Sequence, residues 1–182
     1  RSEAVYWQGT YAITDKLNAT LGVRKSDDES DYTIEMTTTS PGIPFVQVPG
    51  KWSEVLEFGS TDPKLVLDYS FNENTMGYVS VSSGYKSGGF SFATWSESES
   101  RGGFNEEELD ATEIGVKYKS SDNRLVFNAA YYEYDYTDQQ QQIIVVTQSG
   151  SLAGKTFNAG QSEMTGWELE TKYAITDNTQ VD

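Results

Sequence analysis

Side chains of opposite character alternate residue by residue in short stretches along most of the chain. No other feature restricts the fold as much. Leu17, Ala19, Leu21 and Val23 alternate with Asn18, Thr20, Gly22 and Arg24. Val5, Trp7, Gly9, Tyr11 and Ile13 alternate with Tyr6, Gln8, Thr10 and Ala12, and Leu65, Leu67, Tyr69 and Phe71 with Lys64, Val66, Asp68 and Ser70. Thr112, Ile114, Val116 and Tyr118 repeat the pattern, as do Leu125, Phe127, Ala129 and Tyr131. Thr165, Trp167, Leu169, Thr171 and Tyr173 close the series against Gly166, Glu168, Glu170 and Lys172. A period of two belongs to a β-strand whose two faces meet different surroundings. In the strand after Asn72 the facing stays open: either Met76 and Tyr78 or Val79 and Val81 point to the apolar side.

The connections are of two kinds. Short polar turns fall near residues 15, 73, 121 and 177, and the string Tyr-Ala-Ile-Thr-Asp occurs at both 11–15 and 173–177. Between them lie long polar segments at about 25–62 and 86–110, both expected to be loops, the first with strand extensions at its base as an open alternative. The strand from Leu125 is expected to continue through Gln139–Thr147, rich in β-branched residues, to a tip at 149–154. Spacings near 50 residues suggest a propeller, but each unit here holds two strands and one long loop rather than four short strands. A tight turn at one end and a long loop at the other is the hairpin of a transmembrane β-barrel.

Two further regularities agree with that reading. Tyr11, Tyr69, Phe71, Tyr78, Tyr118 and Tyr173 all lie within a few residues of a short turn. Aromatics gathered at one end of every hairpin are expected to form the interfacial girdle of a barrel in a bilayer. Net charge is −15, and the two long segments hold −6 and −4 of it, whereas the apolar alternating faces carry none. A Lys or Arg on a lipid face costs about 2–4 kcal/mol near the midplane, so uncharged faces are informative.

Composition excludes several classes. There is no Cys and no His, which removes disulfides, thiolate chemistry, His-based triads and most zinc sites. The strong negative charge argues against nucleic-acid binding. With 13% aromatic residues the chain is no disordered acidic tail. No apolar run of about 18 residues exists, so no transmembrane helix is expected. The chain begins with Arg rather than Met and without a signal peptide, and it reads as an internal piece of a longer protein.

Several strings resemble the barrel of TonB-dependent outer-membrane receptors. Residues 11–24, Tyr-Ala-Ile-Thr-Asp-Lys-Leu-Asn-Ala-Thr-Leu-Gly-Val-Arg, look like that family's turn and Gly-x-Arg strand end. Tyr78 to Phe90 resembles its Tyr-x-Ser-x-Ser-x-Gly-Tyr-Lys-x-Gly-Gly-Phe segment. Glu107 to Lys117 is similar to the strand that follows, with Glu-Glu-Leu-Asp-Ala-Thr where the family often has Pro-Glu. Asn123 to Asp138 and Asn158 to Glu170 match its next two strands. The resemblance implies an all-β, antiparallel transmembrane β-barrel segment: about seven strands, with short periplasmic turns and long extracellular loops. Residues 1–182 would be part of one barrel domain of about 22 strands filled by a plug, the plug and remaining strands lying outside this chain.

The resemblance further implies a receptor in the bacterial outer membrane, not an enzyme, with no catalytic residue, cofactor or metal site. Such receptors take up a scarce nutrient, such as a ferric siderophore, cobalamin or an oligosaccharide, energised by TonB acting through the plug. Outer-membrane lipid and lipopolysaccharide would surround the barrel. A non-transporting surface or secreted structural or adhesive β-protein is the alternative, and a soluble carbohydrate-binding sandwich is a third reading that the uncharged faces disfavour.

Candidate ligand contacts are the aromatics of the long loops, Trp52, Phe90, Phe92, Trp95 and Phe104, which can stack on a sugar or chelate ring. Glu113, Lys117, Lys119, Glu168, Glu170 and Lys172 are expected to face the lumen, as a solvated interior or as contacts to plug and solute. Glu168 and Glu170 lie two strand positions apart without an evident cleft, so acid–base chemistry is not expected. Asp27, Asp28, Glu29 and Asp31 lack the Gly and distal Glu of an EF-hand loop. Gly84 to Gly89 lacks the spacing and helix of a phosphate-binding loop.

Overall fold

A computed structural model describes residues 1–36, 50–91, 103–146 and 152–182. Among them are ten strands and no helix: β1 (Ser2–Ala12), β2 (Leu17–Met36), β3 (Gly50–Asn72), β4 (Thr75–Lys86), β5 (Glu107–Lys119), β6 (Leu125–Thr137), β7 (Gln140–Val146), β8 (Leu152–Asn158), β9 (Ser162–Thr176) and β10 (Thr179–Val181). Eight form one antiparallel sheet in the order β1-β2-β3-β4-β5-β6-β9-β10, and β7 and β8 pair with each other apart from it. The order follows the sequence except for that excursion, so nearly every contact is between consecutive hairpin strands. The sheet does not close on itself: β1 and β10 are its edges.

Direct pairing fixes which side chains share a face. One row runs Tyr11, Ala19, Leu67, Val79, Ile114, Tyr131 and Trp167 across seven strands. The row nearer the short turns runs Leu17, Tyr69, Gly77, Val116, Ala129 and Leu169. This resolves β4: Val79 and Val81 take the apolar face, Met76 and Tyr78 the polar one. The apolar residues are not tucked into a protein interior. Leu21, Leu67, Ile114 and Leu169 are 54%, 41%, 55% and 72% exposed, and Phe90 is the one buried hydrophobic side chain among the described residues. Among the described residues the main sheet therefore has an apolar wall with no protein layer over it.

That wall has a measurable height. On β2 it runs from Leu17 to Val23, about 20 Å along the strand at roughly 3.3 Å per residue, which at the tilt of about 35–45° of outer-membrane strands is roughly 15 Å of a band about 25 Å tall. Toward the long loops the outward positions turn acidic: Glu3 pairs with Asp27, and Asp110, Asp135 and Glu163 face one another across β5, β6 and β9. Toward the short turns the outward positions are aromatic: Tyr11, Tyr69, Phe71, Tyr118 and Tyr173. Tyr78 does not belong to this rim. Its residue number is near a turn, but its parity sends it to the polar face, opposite Asp68 and Gly115.

The loops differ most from expectation. β2 and β3 stay in register from Leu17↔Tyr69 to Met36↔Gly50 without a bulge. Much of the segment 25–62 is thus not loop but a two-stranded ladder that runs beyond the apolar band, from Val23 to Met36, for about twice the band's own length along the strand. Polar residues do not prevent strand pairing when both faces meet water. The β3–β4 ladder stops at Lys64↔Ser82, next to Pro63. A proline cannot donate to a ladder and favours edges, and from here outward β3 is an edge. The expected continuation of β6 through Gln139–Thr147 is present as far as Val146 but interrupted: Gln139 N–H donates to Gly160 O at 2.9 Å and Ala159 N–H to Gln139 O at 2.7 Å, linking the β6–β9 ladder to the β7–β8 ladder. The break is local: β6 ends at Thr137, Asp138 takes φ 52°, and β7 goes on from Gln140 paired with β8 outside the main sheet.

The short turns are tied to one another. Ser70 N–H donates to Lys16 O at 2.8 Å, Lys119 N–H to Asn74 O at 2.9 Å, and Ala174 N–H to Arg124 O at 2.8 Å. The Asn74 side chain also reaches Lys119 O at 2.6 Å. In the turn before β6, Ser120 Oγ donates to Asp122 Oδ1 at 2.6 Å and Arg124 N–H donates to the same oxygen at 3.1 Å. These donors, the Ser120 hydroxyl foremost, hold the Asp122 carboxyl below the usual Asp range.

Two outcomes are expected. Leu21→Arg in the parent protein should cost about 2–4 kcal/mol of folding free energy in lipid vesicles, against less than about 1 kcal/mol for Thr20→Arg on the polar face. Equal losses in denaturant titrations would show the faces to be wrongly assigned. Because Asp122 titrates lower folded than unfolded, its contribution is present above the ordinary Asp pKa and lost as pH falls through the folded value. Asp122→Asn should flatten that part of the acid-unfolding curve.

Candidate functional site

The polar face carries charged and hydrogen-bonding side chains that alternation places opposite the apolar wall. On β5, Glu113 and Lys117 lie beside Tyr78 of β4: the Tyr78 hydroxyl donates to Glu113 Oε1, and Lys117 Nζ sits 5.3 Å from the centre of the Tyr78 ring. On β9, Lys172 Nζ lies 3.0 Å from Glu170 Oε1, and Asn128 Nδ2 donates to Glu170 Oε2 at 2.9 Å. Asn18 Nδ2 donates to Asp68 Oδ1 at 2.8 Å between β2 and β3. Glu168 pairs across the ladder with Ala130, and Lys119 lies across from Val126 on the same face. Glu113, Lys117, Lys119, Glu168, Glu170 and Lys172 thus share one surface. Glu170 is committed to Lys172 and Asn128, so Glu168 and Glu170 do not form an acid–base pair.

Glycines shape this face where aromatic rings lie flat on the sheet. Gly115 is directly opposite Tyr78, and Gly166 directly opposite Tyr132. A Cβ on Gly115 would lie 2.5 Å from Tyr78 Cε1, and one on Gly166 2.4 Å from the Tyr132 hydroxyl. The missing side chains let each ring cover the neighbouring strand's backbone. Tyr132 also stacks on Tyr134 with ring centres 4.7 Å apart. Period-two reading alone marks Gly115 and Gly166 as polar-face positions but does not show which ring covers them.

At the loop end, the chain after β4 folds back against the β2–β3 ladder. Phe90 is 6% exposed and stacks on Tyr32 of β2, with ring centres 4.7 Å apart and planes 17° off parallel. One face of that ring is therefore taken by protein. Gly89 and Phe104 exchange backbone hydrogen bonds at 3.0 and 2.8 Å, closing the base of this loop. Gly103 takes φ 52°, a conformation that side chains disfavour, and a Cβ there would lie 2.3 Å from Gly89 O. Trp52 is half-buried on β3 opposite Ile34, on the face that also carries Tyr32. Phe92 and Trp95 lie outside the described residues. Sequence alternation does not single out Tyr32, which follows an acidic run inside a segment that is polar on both faces.

A polar knot joins this loop to the β7–β8 hairpin. Asn158 Nδ2 donates to Asp138 O at 2.8 Å and Asn105 O at 3.0 Å, and Asn105 N–H donates to Asn158 Oδ1 at 2.8 Å. Gln140 Nε2 donates to Ser87 O at 2.9 Å and Asn105 O at 3.0 Å, while Gln140 N–H donates to Glu107 Oε2 at 2.6 Å. Ser91 Oγ donates to Thr156 O at 2.9 Å and accepts Thr156 N–H at 3.0 Å. Among the described residues there is no group of three or more His, Cys, Asp or Glu placed to hold a metal. Alternation sends Asp27, Glu29 and Asp31 to one face of β2 and Asp28 to the other, where it accepts from the Tyr85 hydroxyl.

An antiparallel sheet with a bare apolar wall, a tied row of short turns and long loop-end extensions defines a membrane β-barrel segment. Residues 1–180 match the family described as TonB dependent receptor-like, beta-barrel, and the chain belongs to that family. The pesticin receptor of Yersinia pestis is 28% identical over 171 residues, which is 93% of this chain and 23% of that protein. The crystal structure of the ferric yersiniabactin uptake receptor from Yersinia pestis superposes with a TM-score of 0.74 at 23% identity, covering 97% of this chain and 24% of that one. The siderophore receptor PiuA from Acinetobacter baumannii gives 0.69 at 22% identity, covering 97% and 23%. The chain spans about a quarter of the length of the relatives it matches. Barrels of this family sit in the outer membrane of Gram-negative bacteria, and its members are receptors rather than enzymes.

The glycine–tyrosine contacts give a direct check. Gly115→Val should force its branched side chain into the Tyr78 ring and destabilise the folded barrel by about 1–3 kcal/mol. The double variant with Tyr78→Ala should recover part of that loss. Heat-modifiable gel mobility and denaturant midpoints measure both.

Proposed function

We propose that this chain is part of the barrel of a receptor that imports a scarce nutrient, with a ferric siderophore as the first class to test. The observation that carries the reading is the family match along residues 1–180, joined to a sheet that is apolar on one face and hydrogen-bonded on the other. Similar proteins named for pesticin, yersiniabactin and siderophores support an iron-chelate cargo. In this reading the short turns face the periplasm and the long loops the cell exterior, as is usual for such barrels. A plug fills the lumen and contacts the polar face at Glu113, Lys117, Glu168, Glu170 and Lys172. TonB acts through that plug, and lipopolysaccharide meets the loop end of the wall.

The first contacts with ligand are assigned to the loop-end aromatics. Trp52 and Phe104 offer partly exposed rings, and Phe92 and Trp95 belong to the same loop as Phe104. Phe90 supports them from below, through Tyr32. The test is uptake of iron-labelled siderophores by cells carrying the parent protein as their sole receptor, with and without an energised TonB system. Uptake should require both. Trp52→Ala should weaken ligand binding about 2–10-fold, the equivalent of one aromatic contact of about 0.5–1.5 kcal/mol. Recovery of the parent protein in the soluble secreted fraction would sink the importer reading and favour a secreted structural β-protein.

A further inference from the structure

The apolar wall is not flat. Between β3 and β9 it is hollowed into a valley of about 640 Å³. Its floor is made of small and β-branched residues: Gly77 and Val79 of β4, Ile114 and Val116 of β5, and Ala129 of β6. Each bank is an aromatic pair. On one side Tyr69 and Phe71 meet edge to face, 5.3 Å between ring centres and 73° between planes. On the other, Tyr131 and Trp167 lie 5.0 Å apart at 53°. Gly77 is required for the shape, because a Cβ there would lie 2.9 Å from the Phe71 ring.

The position of the valley decides what can fill it. It lies in the middle of the sheet, away from the edge strands β1 and β10, so strands added at either edge would not cover it. It opens on the face opposite Glu113, Lys117 and Glu170, so a plug in the lumen would not reach it. It occupies the two rows of side chains near the short turns, which in a barrel of this kind lie in the periplasmic leaflet. That leaflet is made of phospholipid. β3 and β6 are three strand spacings apart, roughly 14 Å, and the rings on both banks narrow the space to the scale of a hydrocarbon chain.

We infer that this valley is a binding site for one acyl chain of a periplasmic-leaflet phospholipid. In a bilayer there is no water to expel, so selective binding rests on shape and dispersion. A chain on the flat wall touches protein on one side. A chain in the valley touches it on three, and an unfilled valley would forfeit those contacts. The ring faces and edges of Tyr131, Trp167, Tyr69 and Phe71 supply the side contacts, and the floor is too apolar for a headgroup. The lipid is held at the boundary between the rim aromatics and the hydrocarbon, where it can stiffen four adjacent strands. The site rests on the outer-membrane barrel reading but not on the identity of the cargo.

The experiment uses the parent receptor purified from outer membranes in detergent. The folded fraction, identified by heat-modifiable mobility, is washed through extended detergent exchange, and bound lipid is quantified by mass spectrometry. Wild type and Ala19→Phe, which adds bulk on the same wall outside the valley, should each retain phospholipid. Ala129→Phe and Val79→Phe, which fill the floor, should retain about one molecule fewer per receptor. Two filling variants are used so that one folding failure leaves the test intact. Equal phospholipid in all four proteins, or lipid A as the retained species, overturns the site. Absence of the parent protein from the outer membrane fails the barrel reading instead.

Discussion

The structure depends on the pairing of backbone N–H and C=O groups. Within hydrocarbon no water can satisfy them, so each must be met by another strand. The unbroken registers from β1 to β6 and on to β9 meet that demand with little irregularity through the band between Leu17 and Val23. Once the ladder has settled the backbone, side chains are free to differ between faces. The apolar face needs only to lack charge, and the polar face can hold Glu113, Lys117 and Glu170 at little cost because water or protein lies on that side. Proline shows the same constraint from the other direction. Pro63 sits where the β3–β4 ladder ends, and beyond it strand pairing continues only with β2.

Beyond the band the demand relaxes, and so does the architecture. Outside lipid, unpaired groups bind water, so the sheet can split. β2 and β3 run on together beyond β4, and the β6–β9 pair passes through an irregularity at Asp138 and Gln139 into the β7–β8 ladder. What holds the loop end together is side-chain chemistry: the Tyr32–Phe90 stack and the amides of Gln140 and Asn158 on the carbonyls of Ser87, Asn105 and Asp138. Such bonds contribute only about 1 kcal/mol each.

This division explains which parts were legible in sequence. Where one face meets lipid and the other does not, every second residue is forced to be apolar, so Leu17 to Val23 and Thr165 to Tyr173 could be read directly. In the β2–β3 extension both faces meet water, and nothing compels alternation. Asp27 to Asp31 therefore read as loop although they pair residue for residue with Val55 to Gly59. Ile143 to Val146 does form a strand, as its β-propensity suggests, but propensity does not show the break at Asp138 that separates it from β6. Closeness to a turn groups Tyr78 with the rim aromatics, but parity puts it on the polar face. Its phenol is bonded to Glu113, a contact across 35 residues that no local pattern contains.

Glycine carries two meanings in this sheet, and only the face separates them. Gly115 and Gly166 lie on the polar side, each opposite a tyrosine whose ring occupies the place a side chain would take. Gly77 lies on the apolar side beneath Phe71, one position in sequence from Tyr78. Adjacent residues of β4 thus do opposite work. Tyr78 extends its ring over β5 on the polar face, and Gly77 thins the wall on the apolar face directly behind it. Filling the valley from outside or removing the ring from inside therefore perturbs the same stretch of β4 and β5 backbone. A lipid in the valley and a plug against Tyr78 and Glu113 would brace that stretch from its two sides, coupled through a single layer of strand.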